Sequence, residues 1–145
     1  MSNFMKQAIN EAYDGINNKE GGPFGCVIVR NGIVVGRGHN QVIKNKDCTC
    51  HGEIQAIRNA CENLSTFDLN GCELYTTSAP CPMCKGAIQW ARIKKVYYGC
   101  DINDAARIGF DDKEFFETDL EGERVDYEEC KALFDVYEKL DHTMY

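Results

Sequence analysis

The chain has 145 residues, 43% of them hydrophobic and 27% charged, and reads as one domain over residues 1–145 with room for a sizeable core. Its net charge of −7 weighs against a phosphate-backbone partner, which needs a basic face to displace counterions. No apolar run approaches a membrane span, and "MSNFMKQAINEAYDG" lacks the basic-then-apolar order of an export signal, so the expectation is a cytoplasmic protein with no nucleic-acid and no membrane partner.

Phe4, Met5, Ala8, Ile9, Ala12, Tyr13 and Ile16 recur at helical spacing and predict an opening amphipathic helix. "KEGGPFG" (19–25) ends it with three glycines and a proline. "CVIVRNGIVVGRGHN" (26–40) predicts a hairpin turning at Asn31-Gly32, because such a pair accepts the positive φ of a two-residue turn. A polar loop, "QVIKNKDCTC" (41–50), follows. Ile54, Ile57, Ala60, Cys61 and Leu64 share one face of a second helix running from His51 to Leu64. "CELYTT" (72–77) is a short strand, Pro80 or Cys81 starts a helix through Ala91, and "KKVYYGC" (94–100) is a further strand. The order α-β-β-α-β-α-β predicts an α/β fold, a three-layer sandwich with a mixed sheet. In the last third, "DINDAARIGFDDKEFF" (101–116) holds a short helix and a loop. "EECKALFDVYEKL" (128–140) is a terminal helix with Cys130, Leu133, Phe134, Tyr137 and Leu140 on one side.

Nine cysteines, an odd number, in an unexported chain point to thiols and a metal rather than a disulfide framework. In "TTSAPCPMCKGA" (76–87), Cys81 fits a helix N-cap, Pro82 the first helical position and Cys84 the third. Both sulfurs then sit at a helix N-terminus, where the dipole and free N–H groups favour thiolate. Two thiolates at that spacing make half of a tetrahedral zinc site, and "CHGEI" supplies the rest: His51 begins the preceding helix, with Glu53 two residues on. His-x-Glu followed by Pro-Cys-x-x-Cys is the zinc-deaminase pattern, with the glutamate as proton carrier rather than ligand. Three protein ligands leave the fourth position to water, the arrangement of a catalytic zinc. A redox pair lacks a thioredoxin-like setting here. Cys48 or Cys50 could close the zinc into a structural site, but Cys50 adjoins a ligand that begins a helix and Cys48 lies in a loop. Cys26, Cys61, Cys72, Cys100 and Cys130 fall on apolar faces or strand ends, where thiols act as small hydrophobes.

With these residues in place, the chain resembles the cytidine-deaminase superfamily and, within it, the bacterial guanine deaminases. The likeness runs through "GGPFGCVIV", "HNQV", both zinc motifs, "CKGAIQWAR" and "DAARIGFDD". It implies a cytidine-deaminase-like three-layer α/β/α sandwich with a mixed five-stranded sheet and one Zn2+ per chain on His51, Cys81 and Cys84. It also implies a homodimer that exchanges C-terminal segments, about 128–145, so that one tail covers its neighbour's site. Ala79 departs from the family's usual glutamate before the zinc-site proline, and "GRGHN", "HGEI" and "YTTSAPC" also resemble fungal-type cytosine deaminase. The implied reaction is zinc-dependent hydrolytic deamination of a free nucleobase, guanine to xanthine and ammonia, with Glu53 shuttling protons. Cytosine or a related aminated ring is the second choice. A tRNA adenosine deaminase shares the motifs but would carry a basic surface, and a non-catalytic zinc module would need a fourth ligand and no Glu53.

Other residues have two readings. Asn40 is a turn asparagine or, as the resemblance favours, the amide that reads a ring N–H and a carbonyl. Phe24 packs on the base or plugs the core, with resemblance favouring the pocket. Gly52 could offer its backbone N–H to the substrate at close approach. Asp111 and Asp112 read as solvated loop acids, although resemblance gives Asp112 a part in proton handling. Tyr145 is a frayed end or, by resemblance, part of the lid over the partner's pocket. Trp90 is expected in the core, and His39 and His142 at the surface.

Overall fold

The computed structural model describes residues 3–111, 113 and 126–140. Helix α1 spans Asn3–Asn17 and is followed by the hairpin β1 (Gly25–Arg30) and β2 (Ile33–His39). Asn31 and Gly32 take φ of 51° and 78°, the two positive values that match a tight turn to the strand twist. The expected loop contains one helical turn, α2 (Val42–Asn45). Then come α3 (Gly52–Leu64), β3 (Glu73–Ser78), α4 (Pro82–Trp90), β4 (Lys95–Cys100), α5 (Ile102–Arg107) and α6 (Tyr127–Lys139). No helix among the described residues is long and apolar enough to cross a membrane.

The sheet order is β2-β1-β3-β4, with β1 antiparallel to both neighbours and β3 parallel to β4. The sheet is therefore mixed, but it has four strands among the described residues rather than five. The chain leaves β4 directly into a helix because Asp101 and Asp104 form a capping box, each side chain accepting the other's backbone N–H at 3.0 Å.

Alternation along β1 feeds two cores. Cys26 and Ile28 face Ala56, Ala60, Leu74 and Ile88, while Val27 and Val29 face Ala8, with Phe4 and Tyr75 beside them. Helix α1 covers one face, and α3 and α4 cover the other. Trp90 does not join either core: it is 62% exposed. The buried stripe of α4 runs through Cys84 and Ile88, and a residue two positions beyond Ile88 points to the opposite side. Arg92 covers its ring instead, at 5.8 Å from the centroid. Cys100 is also exposed, since β4 is an edge strand.

Helix α3 lies unusually close to β2. A Cβ at Gly36 would stand 2.6 Å from Ala60 Cβ and 2.7 Å from the Ala56 carbonyl, and one at Gly38 would stand 2.6 Å from Ala56 N. Two glycines facing two alanines set this spacing, and with it the position of the α3 N-terminus. Gly36→Ala should therefore lower stability by about 1–3 kcal/mol, the usual cost of overpacking, in a urea melt of the zinc-loaded protein. Ile33→Ala, at a 66% exposed position of the same strand, should change it by less than about 0.5 kcal/mol. Equal effects would contradict the close-packing account.

Candidate active site

Strand β3 runs directly into the turn before α4, and α3 starts beside the end of β2, so two helix N-termini meet at one edge of the sheet. His51 and Cys81 are the N-cap residues of α3 and α4, both in extended conformation. Cys84 follows on the first turn of α4, with Pro82 between them where its missing N–H leaves nothing unpaired. His51 Nδ1 lies 3.6 Å from Cys81 Sγ and 3.6 Å from Cys84 Sγ. The three ligand atoms lie within 4.8 Å of one another, and both cysteines are buried. Tetrahedral zinc bonds of roughly 2.0 Å to nitrogen and 2.3 Å to sulfur give an N···S edge of about 3.6 Å, so these residues fit the metal.

Without a cation the two thiols compete for one proton. The Cys84 thiol donates to Cys81 and, against the cost of burial and with help from His51, brings the Cys81 pKa down to about 4. Cys84, as that donor, is pushed above the thiol range, with burial and the nearby Glu53 acting in the same direction. A dication at this point is what lets both sulfurs ionise together.

Glu53 is 5% exposed, and burial raises its pKa, while a hydrogen bond with Cys84 pulls the other way. Thr76 sits under it: Oγ1 lies 3.0 Å from the Ser78 carbonyl and 3.4 Å from Glu53 Oε1. Its single hydroxyl proton has these two acceptors, the Ser78 carbonyl being the nearer. A carboxyl whose pKa is raised by burial beside the cavity is the kind of group that general acid–base catalysis uses.

These groups open on a cavity of about 680 Å³ lined by His51, Glu53 and Cys81 together with Asn40, Phe24 and Phe110. Asn40 fixes a turn and also lines the cavity. Its Oδ1 accepts the Val42 N–H at 3.1 Å, fixing the turn, and the side chain still lines the cavity at 7% exposure. Phe24 lines the cavity and meets Phe110 edge-to-face, with centroids 4.9 Å apart. Gly52 is buried beside the cavity rather than among its lining residues; a Cβ there would come within 3.0 Å of the Phe24 carbonyl. Asp111 lines the cavity and is exposed, while Asp112, His142 and Tyr145 lie outside the described residues.

Among the described residues, no further cysteine joins the metal group. Cys50 is buried where Asn45 Nδ2 reaches its sulfur at 3.6 Å, and Cys48 is exposed on the cavity wall. The sequence reading missed the walls made by α2 and α5, which bring Val42, Ile43, Ile102 and Phe110 to the cavity. Phe110 lies within the quoted "DAARIGFDD", so its motif carried a signal, but the single turn of α2 carried little. His39 is not a surface residue: Glu11 and Glu20 enclose it, leaving its side chain 16% exposed.

Residues 1–100 match the cytidine and deoxycytidylate deaminase zinc-binding region, and the chain belongs to that family of zinc-dependent hydrolytic deaminases. Over 109 residues it is 50% identical to the guanine deaminase of Bacillus subtilis (strain 168), covering 75% of this chain and 70% of that protein. A tRNA-specific adenosine deaminase of Aquifex aeolicus (strain VF5) is 43% identical over 95 residues, covering 66% of this chain and 62% of that one. The X-ray structure of guanine deaminase from Bacillus subtilis superimposes with a TM-score of 0.92 at 37% identity, covering 100% of this chain and 99% of that one. A guanine deaminase from Nitrosomonas europaea gives 0.71 at 29% identity over 75% of this chain and 63% of that one.

Protein purified without chelator should hold a single zinc by metal analysis, and Cys84→Ala should lose it. Cys48→Ala and Cys50→Ala should retain it, since neither sulfur reaches the group. Loss of zinc in either of those two variants would overturn the three-ligand assignment.

Proposed function

We propose that this chain deaminates free guanine, producing xanthine and ammonia. The observation that carries this reading is the full-length superposition, 100% of the chain at a TM-score of 0.92, on a guanine deaminase. The net charge of −7 adds to it by disfavouring an RNA substrate. When bound by His51, Cys81 and Cys84, zinc supplies Lewis-acid chemistry that makes water nucleophilic at neutral pH.

The chain's own residues do the rest. Glu53 takes one proton from the attacking water and delivers it to the ring nitrogen beside the attacked carbon. As the C–N bond breaks it takes the second proton, from the new hydroxyl on that carbon, and hands it to the departing amine, which leaves as ammonia while the ring carbonyl forms. Asn40 has its amide N–H groups and one Oδ1 lone pair left after binding the Val42 N–H, and these read the ring carbonyl and ring N–H. Phe24 and Phe110 present aromatic surface to the base and exclude water from it. Asp112 assists proton handling at the substrate. Gly52 lets the Phe24 backbone close over the α3 N-terminus and offers its own backbone N–H to the substrate.

The whole chain, residues 1–145, acts as one unit in a cytoplasmic homodimer whose segments from about 128 to 145 are exchanged. Helix α6 supports this, because it leaves Phe134 72% and Val136 58% exposed, apolar surface that a second subunit would cover. Tyr145 then closes the partner's cavity.

Ammonia release measured against guanine, cytosine, adenine and isocytosine should be fastest with guanine; a preference for cytosine would replace this reading. Glu53→Gln should keep zinc and fold yet lose roughly two to four decades of rate. Near-normal turnover would remove Glu53 from its role. Deleting residues 141–145 should leave a folded, zinc-loaded protein with weak turnover. Exchanging its subunits with Glu53→Gln chains should restore part of the activity, because one site then holds an intact Glu53 and an intact partner tail. Full activity of the truncated protein, or no recovery on exchange, contradicts a lid acting in trans.

A further inference from the structure

We propose that His39 is a positioning residue: its imidazolium, clamped between Glu11 and Glu20, fastens the 20–24 loop to the strand end that carries Asn40, and so sets substrate affinity rather than the chemical step. The inference rests on the cavity being the base site.

Three separate parts of the chain meet at this side chain. His39 ends β2, Glu11 belongs to α1, and Glu20 begins the loop that becomes the Gly21, Gly22 and Phe24 wall of the cavity. His39 Nδ1 lies 2.8 Å from Glu11 Oε2, and Nε2 hydrogen-bonds Glu20 Oε2. A carboxylate only accepts, and a neutral imidazole has one N–H, so two carboxylate partners require both ring nitrogens to be protonated.

Glu20 passes the connection on. Its other oxygen pairs with Lys44 Nζ at 3.0 Å, and its backbone carbonyl accepts the N–H groups of Ile43 and Lys44 at 3.0 and 3.1 Å, holding α2 against the cavity. Next to it, Gly21 packs so tightly on Asn40 that any side chain would overlap Oδ1. Asn40 in turn donates its backbone N–H to the Phe24 carbonyl at 2.9 Å. Loosening the Glu20 contact therefore slackens the hold on Gly21, Asn40 and α2 together without touching the metal ligands, while Thr77 Oγ1 keeps the Pro23 carbonyl in place at 3.1 Å.

The charged groups facing His39 are Glu11 from α1 and Glu20 from the loop, with Lys44 of α2 behind Glu20. Arg37, two residues back on β2, is held by Gln7 of α1, and the backbone of Gly52 at the start of α3 lies beside the His39 Cα. Burial alone would lower the His39 pKa, but the two carboxylates outweigh it and raise it above the ordinary 6.5. Glu20 is lowered from its ordinary 4.5, first by His39 and then by Lys44. The signs define a window. The histidine's contribution is complete below its ordinary value and disappears as pH rises through the raised folded value. The Glu20 contribution is present above its ordinary value and is lost as pH falls through the lowered one.

The test uses the zinc-loaded, full-length protein. Imidazole NMR should show His39, one of three histidines in the chain, titrating above 6.5, and Glu20→Gln should bring that value down. His39→Gln should raise KM for guanine about tenfold, the scale of losing a charge-assisted bond, with kcat within about twofold and zinc retained. Comparing the variant's KM profile with the wild type's removes the substrate's own titration, and only the wild type should lose affinity as His39 deprotonates. A loss confined to kcat, an unchanged KM, or His39 titrating at or below its ordinary value overturns the proposal. If His39→Gln does not fold, the same shift in KM, in smaller measure, is required of Glu20→Gln. If the wild type does not turn over guanine, the functional reading fails separately. The clasp then stands only if His39 titrates high and the amides of Gly21, Gly22 and Asn40 exchange faster in Glu20→Gln.

Discussion

Two sulfurs and an imidazole nitrogen brought within 4.8 Å of each other, with both sulfurs buried, form a charge problem that the rest of the molecule is arranged around. Buried thiolates without a counter-charge are costly, and the fold answers in two ways. It places the sulfurs at a helix N-terminus, where backbone N–H groups and the dipole favour negative charge, and it leaves the third ligand on a second helix start that faces the first. A single cation completes the balance. The neighbouring Glu53 is then buried beside that charge, close enough to share protons with whatever occupies the cavity.

Holding two helix ends in register requires rigid layers beneath them. The glycines of β2 bring α3 down onto the sheet, and the parallel pairing of β3 with β4 fixes the strand that leads into α4. Substrate recognition, by contrast, is built from loops: the 20–24 segment, the single turn of α2 and the segment after α5. These carry the polar and aromatic side chains of the cavity, and their order depends on a few specific tethers, among them the Glu11–His39–Glu20 bridge and the hydrogen bond from Thr77 Oγ1 to the Pro23 carbonyl. Metal holding and base reading thus rest on different parts of the structure and can fail independently.

The metal centre was legible in the sequence because its determinants are local. Cys81, Pro82 and Cys84 announce a helix start, His51 and Glu53 announce another, and Asn31-Gly32 fixes the hairpin between α1 and α3. The α6 boundaries came within one residue for the same reason of strong periodicity. What failed depended on distance in space. Trp90 was expected inside from its place within a helix, although it lies opposite the buried Cys84 and Ile88 stripe. The partners of His39 are 28 and 19 residues away, beyond any local pattern. A fifth strand was expected by resemblance, whereas the described residues form four, and the capping pair Asp101 and Asp104 leads the chain from β4 into α5. Phe110 reaches Phe24 only after that turn brings it back over the cavity.

The central claim is that three ligands from two helix starts hold one catalytic zinc for guanine deamination. Its most direct test is to strip the metal with a chelator, return zinc in steps, and follow conversion of guanine to xanthine by absorbance. Turnover should be absent from the stripped protein, rise in proportion to bound zinc, and reach its plateau when each chain holds one ion. Full turnover without metal, or a plateau reached only at two ions per chain, would contradict the account.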